Sequence, residues 1–447
     1  MTELAVQPTL RKEDRRLLTG EGRFGADVQF PRMLHARMVR SAVASGRLTG
    51  VDTAAARAVP GVVAVLTAAD LPGDIRIPVR LQVQAVDLSG HLQPVLAHRS
   101  VAYVGEPVAV VVAEDPYVAE DGAELVQVDV EPDEVLLDAS QARPEDLAAD
   151  FSLGYGDVDG AFDNAAHVVA CEFAVGRHTA VPMEPRVLVV NFTSATGMLD
   201  VYGATKVPVF NQHVLGDLMD IDPELIRMHP MDAGGGFGVR GEFYPEDFLI
   251  PWLAHRLRRA VSWVEDRAEH LVAVNHSRQQ QHRIELALDA DGNILGLRDD
   301  VFHDNGAYVR THGIIVPELT LAMLPGPYRV PAYRGRIRVA LTNKTPCGTY
   351  RAPGRFEGTV VREQLLDRAA ARLGMDRVAL RERNLLRPDE LPHQRAMSTL
   401  GTDVVLDSGD YPGLFKKALA QAEELGWPAG CGGRSPGSRT APSTWWR

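Results

Sequence analysis

The sequence predicts a mixed α/β (α+β) fold in two successive units, and three observations carry that prediction. Short runs rich in β-branched residues alternate with alanine- or leucine-patterned helical stretches. One of the runs, Pro107–Ala113, is almost all valine, as expected of a strand buried on both faces. A proline- and acid-rich stretch, Glu131–Asp150, reads as a linker between a first series of elements and a second that ends near Leu386.

In the first unit, Leu34–Val39 and Gly61–Leu66 read as strands. Thr53–Ala58 is a short alanine-rich helix closed by Pro60-Gly61, and Thr67–Leu71 is a helical turn with Thr67 as its cap. Pro116–Leu125 reads as an amphipathic helix, and Val126–Val130 alternates as a strand. The second unit offers strands at His167–Phe173, Val187–Phe192, Leu199–Tyr202, Leu225–His229 and Leu271–Asn275. Helices are expected at Val209–Met219 and at Glu246–Arg258, the latter with Leu249, Leu253 and Leu257 on one face. Arg283–Leu288 and Ile294–Val301 bracket Asp289-Ala-Asp-Gly292, a hairpin turn. Glu357–Leu373 is a long helix stopped by Gly374, and Tyr411–Leu425 is another. Pro428–Arg447 is rich in Gly, Ser, Pro and Arg, ends on Trp445-Trp446-Arg447 and reads as an irregular tail.

Bulk properties narrow the function classes. A net charge of −12 over 447 residues argues against a nucleic-acid binder, which carries a basic face. Cys171, Cys347 and Cys431 are widely spaced and form no CxxC pair, so neither an iron–sulfur cluster nor a structural zinc is expected in this chain. The N-terminus is polar, and no apolar run is long enough for a membrane span. These features point to a soluble, cytoplasmic chain.

The most informative segment is Asp232-Ala-Gly-Gly-Gly-Phe-Gly-Val-Arg240. Consecutive glycines let the backbone approach a ligand closely, and their N–H groups can converge on an anion. Phe237 adds an aromatic face and Arg240 a cation. The spacing fits neither the dinucleotide fingerprint nor a P-loop. Taken alone, the run reads first as a glycine-rich turn between strand and helix.

Other motifs surround it. They are Leu17-Leu-Thr-Gly-Glu-Gly-Arg-Phe24, Leu34-His-Ala-Arg-Met-Val-Arg-Ser41, Val104-Gly-Glu-Pro-Val-Ala109, Met183-Glu-Pro-Arg186, Tyr244-Pro-Glu246, Thr349-Tyr-Arg-Ala-Pro-Gly-Arg355 and Asp407-Ser-Gly-Asp-Tyr411. In this order, from about Arg11 to Leu425, they resemble the molybdopterin-binding large subunit of the xanthine dehydrogenase/aldehyde oxidase family, in its carbon monoxide dehydrogenase-like branch.

The resemblance implies an organisation. After an N-terminal segment (1–16) come an α/β-hammerhead domain (17–133), a linker (134–150) and a first molybdopterin-binding domain (151–386). The start of a second such domain (387–427) and the irregular tail (428–447) follow. The family's catalytic glutamate lies in that second domain and is not present in this chain. The chain therefore reads as truncated before most of it, either as a non-catalytic fragment or as one half of a naturally split, nicotinate dehydrogenase-like subunit. An exposed apolar flank is expected where the second domain would sit.

The resemblance also implies chemistry. The expected activity is hydroxylation or dehydrogenation of an aldehyde, N-heterocycle or similar small molecule, with water as the oxygen source. The cofactor is molybdopterin, with a cytosine dinucleotide form as one option. Molybdenum is held by the pterin dithiolene and by no protein side chain. Electrons leave through a [2Fe-2S] small subunit and an FAD medium subunit. Lys206, Gly235, Gly236, Phe237, Gly238, Arg240 and Arg351 are the expected cofactor-binding residues, and Arg351 orients substrate. There are departures from the family. The Arg351 loop lacks the cysteine that holds copper in carbon monoxide dehydrogenases. Lys206 stands where many members have glutamine, and Gly241 stands where purine-oxidising members have an acid. Copper-dependent CO oxidation and xanthine oxidation are therefore not expected. Met183-Glu-Pro-Arg186 is read as structural, with an ion pair between Glu184 and Arg186 as one way it could pack, and His303 and Asp304 resemble a family loop.

Overall fold

A computed structural model describes residues 11–81 and 86–426. The tail after 426, with Cys431, Trp445 and Trp446, lies outside the described residues. Two large sheets organise the rest. A seven-stranded sheet runs in the order Ile226–Pro230, Met198–Gly203, Val187–Thr193, Val261–Val264, Leu34–Arg40, Pro107–Ala113, Val62–Thr67. A five-stranded sheet runs Leu147–Tyr155, Ala332–Leu341, Ile294–Gly306, Gln280–Leu288, His167–Val175. Ser100–Val101, Gly46–Asp52 and Gln127–Pro132 form a smaller antiparallel sheet.

The expected division at 134–150 separates the sequence but not the largest sheet. Leu34–Arg40, from the first unit, pairs in parallel with Val261–Val264 from the second, with Leu34 opposite Val261. Pro107–Ala113 is buried at every position, because it is sandwiched between two strands and covered on both faces. The main core lies under this sheet. Val110, Val190, Leu199, Phe248, Leu253 and Trp263 meet there, and residues of both units contribute.

Three expectations change. Leu271–Asn275 is not a strand: Arg267–Ala273 is a helix, and the Asp266 carboxylate caps it by accepting from Glu269 N–H at 2.7 Å. Asp266 followed by Glu269 is a cap signal that outweighs the β-rich look of Leu271 and Val272. The Glu131–Asp150 stretch is partly strand. Gln127–Pro132 extends into it, and Leu147–Tyr155 begins inside it as an edge strand paired with Ala332–Leu341. Edge strands tolerate the polar residues that made this stretch look like a linker. The helix Pro245–Leu257 buries almost its whole first three turns rather than one face, because it fills the space between the large sheet and the loops of the site.

A lattice of buried charges ties the two units together. Arg40 reaches Glu246 and Glu269, each at 2.6 Å. Arg186 pairs with Glu246 at 2.9 Å and Glu265 at 2.5 Å, and its guanidinium lies 4.0 Å from the Tyr244 ring centroid. Glu265 also accepts from or faces His270 Nδ1 at 2.7 Å. Burial works against ionisation of Glu265, but the Arg186 charge and the His270 contact outweigh it and hold its pKa at about 2.

Candidate functional site

The glycine loop leaves the edge strand Ile226–Pro230 and is anchored at its start. The Asp232 carboxylate accepts from Arg16 at 2.5 and 2.7 Å and from Arg23 N–H at 2.8 Å. Gly234 N–H donates to Glu184 Oε2 at 2.8 Å, and Glu184 N–H returns a bond to Gly234 O at 3.2 Å. A Cβ on Gly234 would lie 2.5 Å from Glu184 Cβ, so only glycine permits this approach. At Gly238, φ is +112° and a Cβ would meet the Thr349 carbonyl oxygen at 2.6 Å. Phe237 has φ +51° and presents a ring that is 46% exposed.

The loop's backbone donors have a distinctive state. Among the described residues, the N–H groups of Gly235, Gly236, Phe237 and Gly238 meet no acceptor. A run of successive free N–H groups is the backbone feature from which nests and oxyanion holes are built.

Arg240 does not face that surface. It is buried, and its guanidinium donates to Gly235 O at 2.7 Å, Glu184 O at 2.7 Å, Glu184 Oε2 at 2.9 Å and Pro185 O at 3.1 Å. The cation that the sequence aims at a ligand is instead the clamp that holds the loop's shape. Glu184 is engaged by this clamp, so a Glu184–Arg186 pair does not form, and Arg186 turns inward to Glu246 and Glu265. Lys206 lies against the loop's far end. Its N–H donates to Arg240 O at 3.1 Å, its stem passes Gly241, and its ammonium is exposed with no partner among the described residues.

The Arg351 loop closes the other side. Arg351 N–H donates to Phe237 O at 2.8 Å, joining the two loops directly. Arg278 fixes the Arg351 backbone from beneath: it donates to Arg351 O and to Ala352 O, pairs with Glu357 at 3.2 Å, and stacks 4.7 Å from Tyr350 and 4.3 Å from Phe356. The Arg351 guanidinium itself is exposed and has no partner among the described residues.

Residues to which the sequence assigned no role in the site support this wall. Tyr244 OH donates to Val239 O at 2.9 Å and contacts Asn275, whose amide donates to Thr349 O at 3.0 Å. Glu242 is fully buried. It faces His312 Nδ1 and accepts from Thr349 N–H at 3.2 Å. Burial opposes its ionisation, but His312 and Thr349 outweigh that and hold its pKa below the ordinary carboxylate value. Nothing in the spacing of Arg278, Asn275 or His312 marks them, because each reaches the loops only through the fold.

His303 and Asp304 form no catalytic pair. His303 is fully buried against Gln280, and burial lowers its pKa to about 4. Asp304 is held by Lys344 at 2.7 Å and Arg177 at 3.3 Å. Cys347 is buried and donates to Asp304 O at 3.1 Å, and burial raises its thiol pKa to about 11, so it is inert packing. Among the described residues, no group of three or more His, Cys, Asp or Glu side chains could hold a metal ion.

Among the described residues, the site therefore combines a run of free N–H donors, a half-exposed aromatic ring and two cations without a partner. That donor set fits an oxygen-rich, anionic and partly planar group whose metal, if it carries one, has its own ligands.

Comparison with known proteins points to such a group. Residues 140–385 match the molybdopterin cofactor-binding domain, and residues 19–134 match the aldehyde oxidase and xanthine dehydrogenase a/b hammerhead domain. The chain is 39% identical to subunit gamma of the 6-hydroxypseudooxynicotine dehydrogenase complex of Paenarthrobacter nicotinovorans, over 94% of this chain and 54% of that protein. It is 32% identical to the carbon monoxide dehydrogenase large chain of Hydrogenophaga pseudoflava, again over 94% of this chain and 54% of the relative. Its fold superposes on quinoline 2-oxidoreductase from Pseudomonas putida 86 with a TM-score of 0.88 at 33% identity, covering 94% of this chain and 54% of that one. The chain thus spans about half the length of these relatives. With a cofactor-domain match that covers more than half of its residues and carries the glycine loop, the chain belongs to the molybdopterin-binding xanthine dehydrogenase/aldehyde oxidase family.

Proposed function

We propose that this chain forms the loop wall of the cofactor site in a molybdenum hydroxylase or dehydrogenase. The enzyme acts on an aldehyde, N-heterocycle or similar small molecule, with water as the oxygen source. The observation that carries this reading is the run of N–H groups at Gly235–Gly238 that meet no acceptor among the described residues, flanked by Arg351 and Lys206, which have no partner among them. When bound, the molybdenum–pterin group supplies the two-electron redox chemistry. Gly235, Gly236, Phe237 and Gly238 would hold that group through their N–H donors. Arg351 offers a fixed fork of donors that orients an acceptor on the substrate and stabilises negative charge developing there. Lys206 donates from the opposite end of the loop. Arg240 acts only through the loop it clamps.

The proton-abstracting glutamate comes from a second molybdopterin-binding half, continuous with this chain or separate. Val181 (53% exposed), Met183 (91%) and Phe237 (46%) lie bare beside the loop and give that half an apolar surface to cover. An iron–sulfur small subunit and an FAD medium subunit take the electrons, in keeping with relatives named as a complex subunit and a large chain. The assembly works in the cytoplasm; among the described residues, no helix is long and apolar enough to cross a membrane. The test is metal and pterin analysis of the purified chain, alone and co-expressed with the downstream half. Pterin and molybdenum should be retained with the second half present. Their absence in both preparations would sink the reading.

A further inference from the structure

The helix Arg267–Ala273 holds the strap 180–184 that clamps the glycine loop. Arg267 and His270, three positions apart, share one face of this helix. Arg267 donates to Pro182 O at 2.6 Å and to Met183 O at 3.2 Å. His270 Nε2 meets Ala180 O at 2.9 Å. The strap passes its position on to the loop. Glu184 exchanges backbone and side-chain bonds with Gly234 and accepts from Arg240, and a Cβ on Gly235 would come within 3.2 Å of Pro182 Cβ.

Both ring nitrogens of His270 face acceptors. The residue is 1% exposed, and its Nδ1 lies 2.7 Å from Glu265 Oε2. A backbone carbonyl cannot donate, and neither can Glu265. Burial opposes the ionisation of Glu265, but Arg186 and His270 outweigh it and hold its pKa at about 2. A neutral imidazole has a single N–H and could serve only one of the two oxygens. The geometry is therefore that of an imidazolium. Loss of one proton would keep the N–H on the carboxylate, the stronger acceptor, and would turn a lone pair on Ala180 O. Other charged and titratable groups surround the ring. Arg186 lies behind Glu265, and Arg310 donates to Ala273 O at the end of the helix. His276, whose pKa burial lowers to about 4, follows the helix. Asp266 caps the helix, Arg267 is engaged by the strap, and Glu269 is paired with Arg40.

We propose that doubly protonated His270 is a positioning residue of the loop wall: it holds Ala180 and, through the strap 180–184 and Glu184, fixes the glycine loop, and the wall slackens when rising pH removes the Nε2 proton. The inference rests on the proposed function only in taking the loop to hold a cofactor.

The experiment uses the full chain, from about pH 5 to about pH 9, the range in which a histidine charge is read. Histidine-selective 15N NMR follows the His270 ring, assigned by the signal lost in His270→Asn. Amide exchange, corrected for its intrinsic pH dependence, follows 180–184 and 234–238. At the acid end both ring nitrogens should carry protons. Where the Nε2 proton leaves, protection in both segments should fall together by about ten-fold, the scale of one charge-assisted hydrogen bond. His270→Asn keeps a donor near the Nδ1 position and loses the one to Ala180, so it should show the low protection at every pH, with no step. His270→Gln places a donor near the Nε2 position and should restore protection, again with no step. A ring that carries one proton throughout overturns the proposal. So does protection at 234–238 that ignores the titration, or equal protection in His270→Asn and His270→Gln. If the ring keeps both protons over the whole range, the difference between these two variants decides. Pterin retention is scored separately, on the chain co-expressed with the downstream half. Pterin held by a chain without the step counts against the His270 role alone. The step in a chain that never acquires pterin supports that role and counts against the cofactor reading.

Discussion

In the lattice around Arg186, Glu246, Glu265 and Glu269 each face a guanidinium, and His270 is held at both ring nitrogens. Along Gly235–Gly238, a short distance away through Arg240 and Tyr244, the N–H groups meet no acceptor among the described residues. Both regions are dense in polar groups, and both draw residues from distant parts of the chain. They differ in how far their hydrogen-bonding capacity is met within the protein: in the lattice every oxygen of Glu246, Glu265 and Glu269 accepts a hydrogen bond except Glu269 Oε2, which faces Arg37 at 3.5 Å. A saturated cluster holds architecture, and an unsaturated one held rigid by saturated neighbours is prepared for a ligand. Arg240 belongs to the first kind although it sits in the loop of the second.

That contrast can be broken by substitution, beginning where the effect is largest. Arg186→Ala strands Glu246 and Glu265 in the core and should destabilise the chain by about 3–5 kcal/mol in urea unfolding. A loss below about 1 kcal/mol would mean the lattice is not structural. Arg240→Ala should cost about 1.5–3 kcal/mol through its charged hydrogen bonds and should speed amide exchange in residues 234–238. A stable protein that has lost only pterin would instead return Arg240 to direct cofactor contact.

The third prediction concerns acid. Burial holds His276 and His303 at about 4, below their ordinary 6.5, so between these values the unfolded chain binds more protons and stability falls as pH falls. Burial also holds Glu106 and Asp247 at about 7, so over the same range the native state binds more protons and stability rises as pH falls. The two effects oppose each other, and the urea midpoint should be nearly level from pH 6.5 to 4.5. Glu265, held at about 2 against an ordinary 4.5, contributes stability that is present above 4.5 and lost as pH falls towards 2. The midpoint should fall over that lower range, and Glu265→Gln should flatten the fall. The smallest effect on folding is expected at the ligand side. Arg351→Gln should change stability by less than about 0.5 kcal/mol. Turnover by the assembled enzyme should nonetheless fall about ten-fold or more, with partial recovery in Arg351→Lys. Unchanged turnover would remove Arg351 from the site.

Element positions were largely legible, because they follow local rules. Asp115 caps the helix Pro116–Glu124, Gly374 ends the helix Arg355–Leu373 at φ +65°, and the hairpin turn at 289–292 joins strands that do pair. The failures are also physical. Leu271–Asn275 was misread because apolar content hid the cap at Asp266. The glycine loop was legible as a motif, and the partners that shape it were not. Arg240 reaches Glu184 across 56 positions, and Arg80 reaches His312 across 232. No periodicity encodes contacts at such separations. Lys206 and Arg351 were visible as residue types in motifs, whereas their freedom from partners is a property of the folded surroundings.

The parallel pairing of Leu34–Arg40 with Val261–Val264 has a consequence for biosynthesis. At roughly 5–20 residues per second, the ribosome releases the later strand on the order of 10–50 s after the earlier one. Pro107–Ala113 and Val62–Thr67 emerge in that interval and can complete one flank of the nascent sheet, leaving Leu34–Arg40 as its bare margin. The fold thus closes backwards, with a late strand arriving at an early one. A pause in translation before Val264 would prolong the life of an open margin able to join with another nascent chain.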